Sequence, residues 1–405
     1  MPRVDILKGV RMIDLTQALA GASGSQLLAD LGVEVIKIEQ PGTGDITRAS
    51  APKLEGEGYF YLAVNRNKKG ITLDLSTASG QEALRDLAGA SDIVFDNFRP
   101  GTLNRLGADF ETLRKVNPRV ISCSISGYGS SGPYAEYPAF EDIAEGIGGA
   151  HSLCGEPDRR PLRAAVDAAD QGAGLYAVTG IISALFERER TGEGCRIEVN
   201  MLDSIVHLIA VPFQCYFVGG QVPQPPGWTH PVAPMVGIFR TRDGFLTLGP
   251  SWPRIARVVG KEWMIEDPRF NTVEGRWENK RELEDLIEEG LSQADTADWL
   301  ELMHVEDIAA GPVHTLDKTV SDPQIVHNRT IVNMHHPLCG NVKGIDCPIK
   351  FIHKTEHPHA PPPTLGQHTD EVLSDILGYS EAKIQRLKQE EETAGQSKPR
   401  VRRRL

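Results

Sequence analysis

The chain predicts an α/β protein built on a mostly parallel sheet, and two observations carry that prediction. First, strand-like and helix-like patterns alternate through the first half, the signature of a parallel sheet with helices on its faces. Second, 405 residues at 40% hydrophobic and 24% charged give a composition ordinary for a globular chain of two or three domains. Functional sites in such sheets lie at the carboxyl ends of strands.

The elements follow in order. "VRMIDLT" (10–16) is a short β-branched run, "SGSQLLADLG" (23–32) has helical spacing with a closing Gly, and "VEVIKIE" (33–39) alternates as a strand does. "GITLDL" (70–75) is the next strand, and "TASGQEALRDLAGA" (77–90) is a helix opened by a Thr cap. "DIVFDNF" (92–98), "DFETLRKVNP" (109–118) and "VISCSIS" (120–126) continue the alternation. "LYAVTGIISALFER" (175–188) reads as a helix opened by Gly174, and "RTGEGCRIEVNMLDS" (190–204) as turn, strand and helix start. Pro and Gly crowd into "GGQVPQPPGWTHPVAP" (219–234), the pattern of a domain linker. "GIFRTRDGFLTLG" (237–249) is a hairpin turning at Arg242–Gly244, helical patterns fill 275–305, and a Pro-rich strap at 359–378 leads into a capped helix.

Charge and cysteine usage narrow the function. A net charge of −12 argues against non-specific nucleic-acid binding, and the one cationic cluster, "KPRVRRRL", reads as a frayed terminus. Six scattered cysteines without CxxC or zinc spacing suit free thiols in a reducing compartment. The His-rich stretches 334–336 and 353–361 lack ligand spacing, so no metal site is expected. The apolar run 204–220 is broken by His207, Pro212 and Gln214, and the N-terminus lacks the apolar core of a signal peptide. The expectation is a cytoplasmic protein with no membrane and no nucleic-acid partner.

Several motifs bear on chemistry. "GYGSSG" (127–132) matches G-x-G-x-x-G, but Pro133 and Pro138 leave no helix to receive a pyrophosphate, so it reads as a loop at a strand end. "VNRNKKG" (64–70) is either a solvated turn or a phosphate clamp through Lys68 and Lys69. "DNFRPGTLNRLG" (96–107) sets an amide, an aromatic ring and a guanidinium (Asn97, Phe98, Arg99) at a strand end. In "AAVDAADQGAGLYAV" (164–178), Asp170 stands just before a helix whose N–H groups favour its charged form, and the small residues around it leave room for a bulky ligand. Asp170 can be a cap or a nucleophile toward an activated acyl group. Asp167 reads as incidental surface.

Taken in order, these stretches resemble the class III CoA-transferases, the formyl-CoA and carnitine CoA-transferase type of the CaiB/BaiF family. The resemblance runs from "LKGVRMIDLTQALAGASGSQLLADLGVEVIKIEQPGTGD" through "NRNKKGITLDL", "DNFRPGTLNRLG" and "SISGYGSSGPYAEYPAFEDIAEGIGG" to the Asp170 helix. It continues in "APMVGIFRTRDGFLTLG", "DIAAGPVHTLDKTVSDPQ" and "PPPTLGQHTDEVL". It implies a Rossmann-like large domain formed by both chain ends, a smaller middle α+β domain and an interlocked homodimer. Residues 1–220 and 331–405 would form the large domain and 221–330 the middle one. It implies Asp170, not Asp167, as nucleophile, with Lys68, Lys69, Asn97, Phe98, Arg99 and Arg105 contacting coenzyme A. Gln17, Phe140 and Glu141 would line the reacting centre. Coenzyme A is expected as a substrate, with no permanently bound cofactor, and short or dicarboxylic acids are the preferred acceptors. Two alternatives stand: an α-methylacyl-CoA racemase-like enzyme, against which Phe140 replaces one of the two required bases, and a non-catalytic acyl-CoA-binding protein.

Overall fold

A computed structural model describes residues 3–231 and 233–397; the basic tail "KPRVRRRL" lies outside the described residues. The chain divides into two compact units: 1–148, 166–210 and 324–405 form the larger, 149–165 and 211–323 the smaller. The proline- and glycine-rich stretch 219–234 therefore falls inside the smaller unit, not between units as its composition suggests, and 149–165 joins that unit although it precedes the Asp170 helix.

The larger unit is organised by a six-stranded parallel sheet: β1 Arg11–Asp14, β2 Glu34–Glu39, β3 Lys68–Thr72, β4 Ile93–Asp96, β5 Ile121–Ser126 and β6 Arg196–Asn200. Their spatial order is β3-β2-β1-β4-β5-β6. That is the doubly wound order, and its topological switch point lies between β1 and β4. The inner strands β1, β2, β4 and β5 are short and mostly buried, as β-branched runs are when both faces of a parallel sheet are covered, whereas edge strand β6 has no buried residue. Ile13, Ile36, Ile71 and Val94 pack with Leu84 and Leu87 and with Val372, Leu373 and Leu387 from the C-terminal segment.

Five helices of the larger unit are α1 Ala20–Asp30, α2 Ala78–Gly89, α3 Glu141–Gly148, α4 Ala168–Thr191 and α5 Met201–Leu208. The Thr77 cap of α2 is present, its Oγ1 accepting from Gly80 N at 3.0 Å. Helix α4 begins six residues earlier than Gly174 suggests, because Ala168 and Ala169 are strong helix formers that the run of small residues disguises. Gly174 and Gly172 do not open space for a ligand. A Cβ at Gly174 would stand 2.6 Å from Ala20 O on α1, and one at Gly172 would stand 2.6 Å from Leu208 Cδ1 on α5. Their lack of a side chain lets three helices pack closely.

In the smaller unit, the expected hairpin forms from β7 Gly237–Arg240 and β8 Phe245–Leu248, with β9 Ala310–Pro312 added along β8. Phe239 and Leu246 face Leu283, Ile287 and Trp299 in its own core. Among the described residues no single helix is long and apolar enough to cross a membrane, although the bent pair Met201–Leu208 and Ala210–Gly219 meets the test by length and composition.

Candidate functional site

At the switch point a cavity of about 260 Å³ opens beyond the carboxyl ends of β1, β4 and β5. Its walls are the post-β1 segment Gln17–Ala20, the post-β4 turn Asn97–Pro100, the 127–140 loop and, from α4, Asp170. The chain thus brings Gln17, Asn97, Phe98, Arg99, Phe140 and Asp170 to one opening although they are spread over 154 residues of sequence.

The Asp170 side chain projects from the first turn of α4 and makes no hydrogen bond among the described residues. Burial, reinforced by the charges of Asp167 and Glu145, lifts its carboxyl to about 6. The sequence predicted the opposite, a helix N-terminus favouring the charged form. The reason is that those N–H groups are already taken: Ala169 N donates to Glu141 Oε1 at 3.0 Å and Asp170 N to Glu141 Oε2 at 2.6 Å. Glu141, buried at the start of α3, is the carboxylate that caps α4. Burial raises Glu141 itself to about 7, with the two N–H bonds opposing and Glu145 and Asp170 adding to the rise. Asp167 occupies the cap position of α4 but makes no side-chain cap bond, and its charge bears on Asp170.

Asn97 is a clamp. Its Nδ2 donates to Gln17 O at 2.7 Å and its Oδ1 accepts from Gln17 N at 2.8 Å, so both ends of the amide are spent on the backbone of the opposite wall. Phe98 covers the core beside the cavity, and its N–H donates to Asp96 Oδ1 at 3.0 Å. Arg99 is exposed and has no ion pair among the described residues. Gly127 is required where the loop folds back, since a Cβ there would stand 2.2 Å from Ala139 Cβ.

Three expected ligand contacts are elsewhere. Lys68 and Lys69 begin β3 and belong to the amino edge of the sheet, whereas the cavity is at the carboxyl edge. The Lys68 ammonium is wholly buried, 3.1 Å from Asp14 Oδ2, and donates to Ala22 O and Asn65 Oδ1. Lys69 pairs with Glu34 and Glu371. Arg105 is exposed in a short helix and bonds Thr102, outside the cavity lining.

The sequence reading missed Asp96, Tyr137, Ile46 and Met201. Asp96, buried beneath the Phe98 turn, accepts from Ser124 Oγ at 2.6 Å and is raised by burial to about 6. An acid directly before the Asn97–Phe98 strand end was the available signal. Tyr137 and Ile46 are exposed apolar side chains whose neighbourhood only the fold supplies.

Comparison with known proteins places the chain in a family. A family model described as CoA-transferase family III matches residues 7–369. The succinyl-CoA:glutarate CoA-transferase of Mus musculus is 33% identical over 386 residues, covering 94% of this chain and 88% of the relative. The formyl-CoA:oxalate CoA-transferase of Streptomyces avermitilis is 32% identical over 405 residues, covering 94% of this chain and 98% of the relative. Among solved structures, a CaiB/BaiF family protein from Brucella suis superposes with a TM-score of 0.84 at 32% identity, over 92% of this chain and all of that one.

Proposed function

Starting from a chain that belongs to CoA-transferase family III, we propose that Asp170 is the covalent nucleophile that passes coenzyme A from an acyl-CoA donor to a short or dicarboxylic acid. The observation that carries this reading is a raised, unbonded carboxyl facing the switch-point cavity. At neutral pH it is ionised, and its elevated basicity makes it a better nucleophile than an ordinary carboxylate.

Each step balances. An Asp170 oxygen attacks the donor thioester carbonyl, forming a C–O bond and expelling the CoA thiolate. The thiolate attacks the Asp170 carbonyl of the resulting anhydride, forming an aspartyl-CoA thioester and releasing the donor acid as carboxylate. The acceptor carboxylate then attacks this thioester and again frees the thiolate. Attack of the thiolate on the acceptor acyl carbon yields the new acyl-CoA and regenerates the Asp170 carboxylate. No proton is gained or lost, so the site needs no separate general base. Its demand is oxyanion stabilisation, which backbone N–H groups of the Gly-bearing walls can supply. Gln17 and Phe140 line the acyl side, Phe98 and Arg99 the coenzyme side, and Glu141 holds the Asp170 backbone in place.

We also infer a homodimer, interlocked as in the family. Phe140 at 69%, Leu175 at 57% and Phe186 at 68% exposure are large apolar side chains that a partner copy would cover.

The test is a mass-spectrometric screen of acyl-CoA donors, succinyl-CoA among them, against a panel of carboxylic acids, with hydroxylamine trapping. The expected result is CoA transfer with modification at Asp170 alone. Full transfer by Asp170→Asn would overturn the assignment.

A further inference from the structure

Two walls of the cavity are joined by a lysine that the reaction does not touch. Ala18, a wall residue, has φ +60°, a left-handed conformation that a non-glycine residue holds only when its surroundings impose it. The surroundings here are side chains. Asp14 Oδ1 accepts from Thr16 N at 2.9 Å and from Thr16 Oγ1 at 2.6 Å. Asn97 grips both sides of Gln17. Lys37, from the middle of β2 and completely buried, donates to Thr16 O at 2.7 Å and pairs with Asp45 Oδ2 at 2.9 Å. The other Asp45 oxygen accepts from Ala18 N at 3.4 Å and from Thr47 N at 2.9 Å. Asp45 in turn caps the short turn that presents Ile46 to the cavity.

Burying an ammonium is costly and returns little stability that an apolar side chain could not supply, so a buried pair of this kind calls for a positional explanation. Burial works against the charge of Lys37, but Asp14, Asp45 and Glu39 outweigh it and keep it protonated. We propose that Lys37, through Asp45, is a positioning residue for CoA transfer: it ties the Thr16–Ala18 segment to the Asp45–Ile46 turn, and so sets the spacing of the two walls and the place of Gln17 opposite Asp170. The inference rests on the reading of this cavity as the reacting centre.

The experiment compares three forms of the full-length enzyme with wild type, using succinyl-CoA as donor and glutarate as acceptor. Lys37→Met removes the ammonium and keeps most of the stem. Lys37→Met/Asp45→Asn avoids leaving an unpaired buried carboxylate. Ala18→Gly added to the double variant supplies a residue that takes φ +60° without strain. A misplacement of about 1 Å in a reacting site costs about a hundredfold in rate. The double variant is therefore expected to be folded by circular dichroism, with kcat lowered about a hundredfold, KM for succinyl-CoA within about threefold, and slower covalent labelling of Asp170 by intact mass. Ala18→Gly should recover at least about tenfold of the lost kcat, which a merely structural pair would not allow. A folded double variant with wild-type kcat, or a loss confined to KM, overturns the proposal. So does failure of both Lys37 variants to fold, which would make the pair part of the fold's stability instead. Retained transfer in Asp170→Asn would defeat the functional reading itself, independently of these outcomes.

Discussion

Asp14 and Asp170 are both withdrawn from solvent, and burial is the largest influence on each, yet they are displaced in opposite directions. Asp14 is drawn down to about 2 because Lys68 and Lys37 face it and Ser25 and Thr16 donate to it, together outweighing burial. Asp170 is pushed up to about 6 by burial, to which two acids, Asp167 and Glu145, add and which no cation among the described residues opposes. The first belongs to a closed ionic interior beneath β1–β3, the second to an open cavity at the β1–β4 switch point. The difference teaches that partners, more than burial, decide whether an acid holds the fold or waits for a substrate.

The comparison is broken most directly at Asp170. Asp170→Asn should lower CoA transfer by at least about a thousandfold while leaving the circular dichroism spectrum unchanged. Next is Lys68→Met, which removes the ammonium 3.1 Å from the buried Asp14 carboxylate. It should cost about 3–5 kcal/mol by chemical denaturation, the typical loss when one partner of a buried pair is removed. A folded Lys68→Met enzyme of normal stability, but with weakened acyl-CoA binding, would restore Lys68 to the ligand site.

Glu141→Gln is expected to act in between. The amide keeps one acceptor for the α4 N–H groups and turns its NH₂ against the other. We expect a loss of about 1–3 kcal/mol in stability, together with a kcat decrease of about tenfold or more. An unchanged kcat would separate the cap from the chemistry.

The pH profile sharpens the comparison further. Ionisation of Asp170 should make kcat fall about tenfold per pH unit below about 6. The stability effect has the opposite sense. A carboxyl raised from 3.8 to about 6 binds its proton more tightly in the folded state, so its contribution weakens as pH rises through that window. Asp170→Asn should thus gain about 1–2 kcal/mol at pH 7, discounted for partial exposure, and the gain should vanish below about pH 4. Denaturation at both pH values checks the sign. The smallest effect is expected for Arg105→Ala, exposed and outside the cavity: within about 0.5 kcal/mol of wild-type stability and within about twofold in KM for acyl-CoA.

Much of the fold was legible because it rests on local pattern. Short β-branched runs, the Thr77 cap and the Arg242–Gly244 turn each report their own neighbourhood, and the structure places strands and helices at those positions. The start of helix α4 is hidden in a run of small residues, where glycines among the alanines mask the helical pattern. Lys37 gives no signal inside an ordinary alternating strand, since alternation cannot say what lies across the sheet. Lys68 and Lys69 read as a basic turn because the local sequence does not show the acids that face them, Asp14 for Lys68 and Glu34 and Glu371 for Lys69.

By itself, the amino-acid order determined an α/β chain whose motifs recur in family order and drew attention to Asp170 among small residues. The tertiary structure decided the rest: that Glu141 takes the N–H groups that seemed reserved for Asp170, that Asn97 clasps the Gln17 backbone across the cavity, and that Gly172 and Gly174 serve helix packing. The reason is physical. Helix and strand propensities act over a few residues and can be read along the chain, whereas charge pairing, burial and close approach depend on partners far away in sequence, such as Gln17 and Asn97 or Lys69 and Glu371, which only the completed fold brings together.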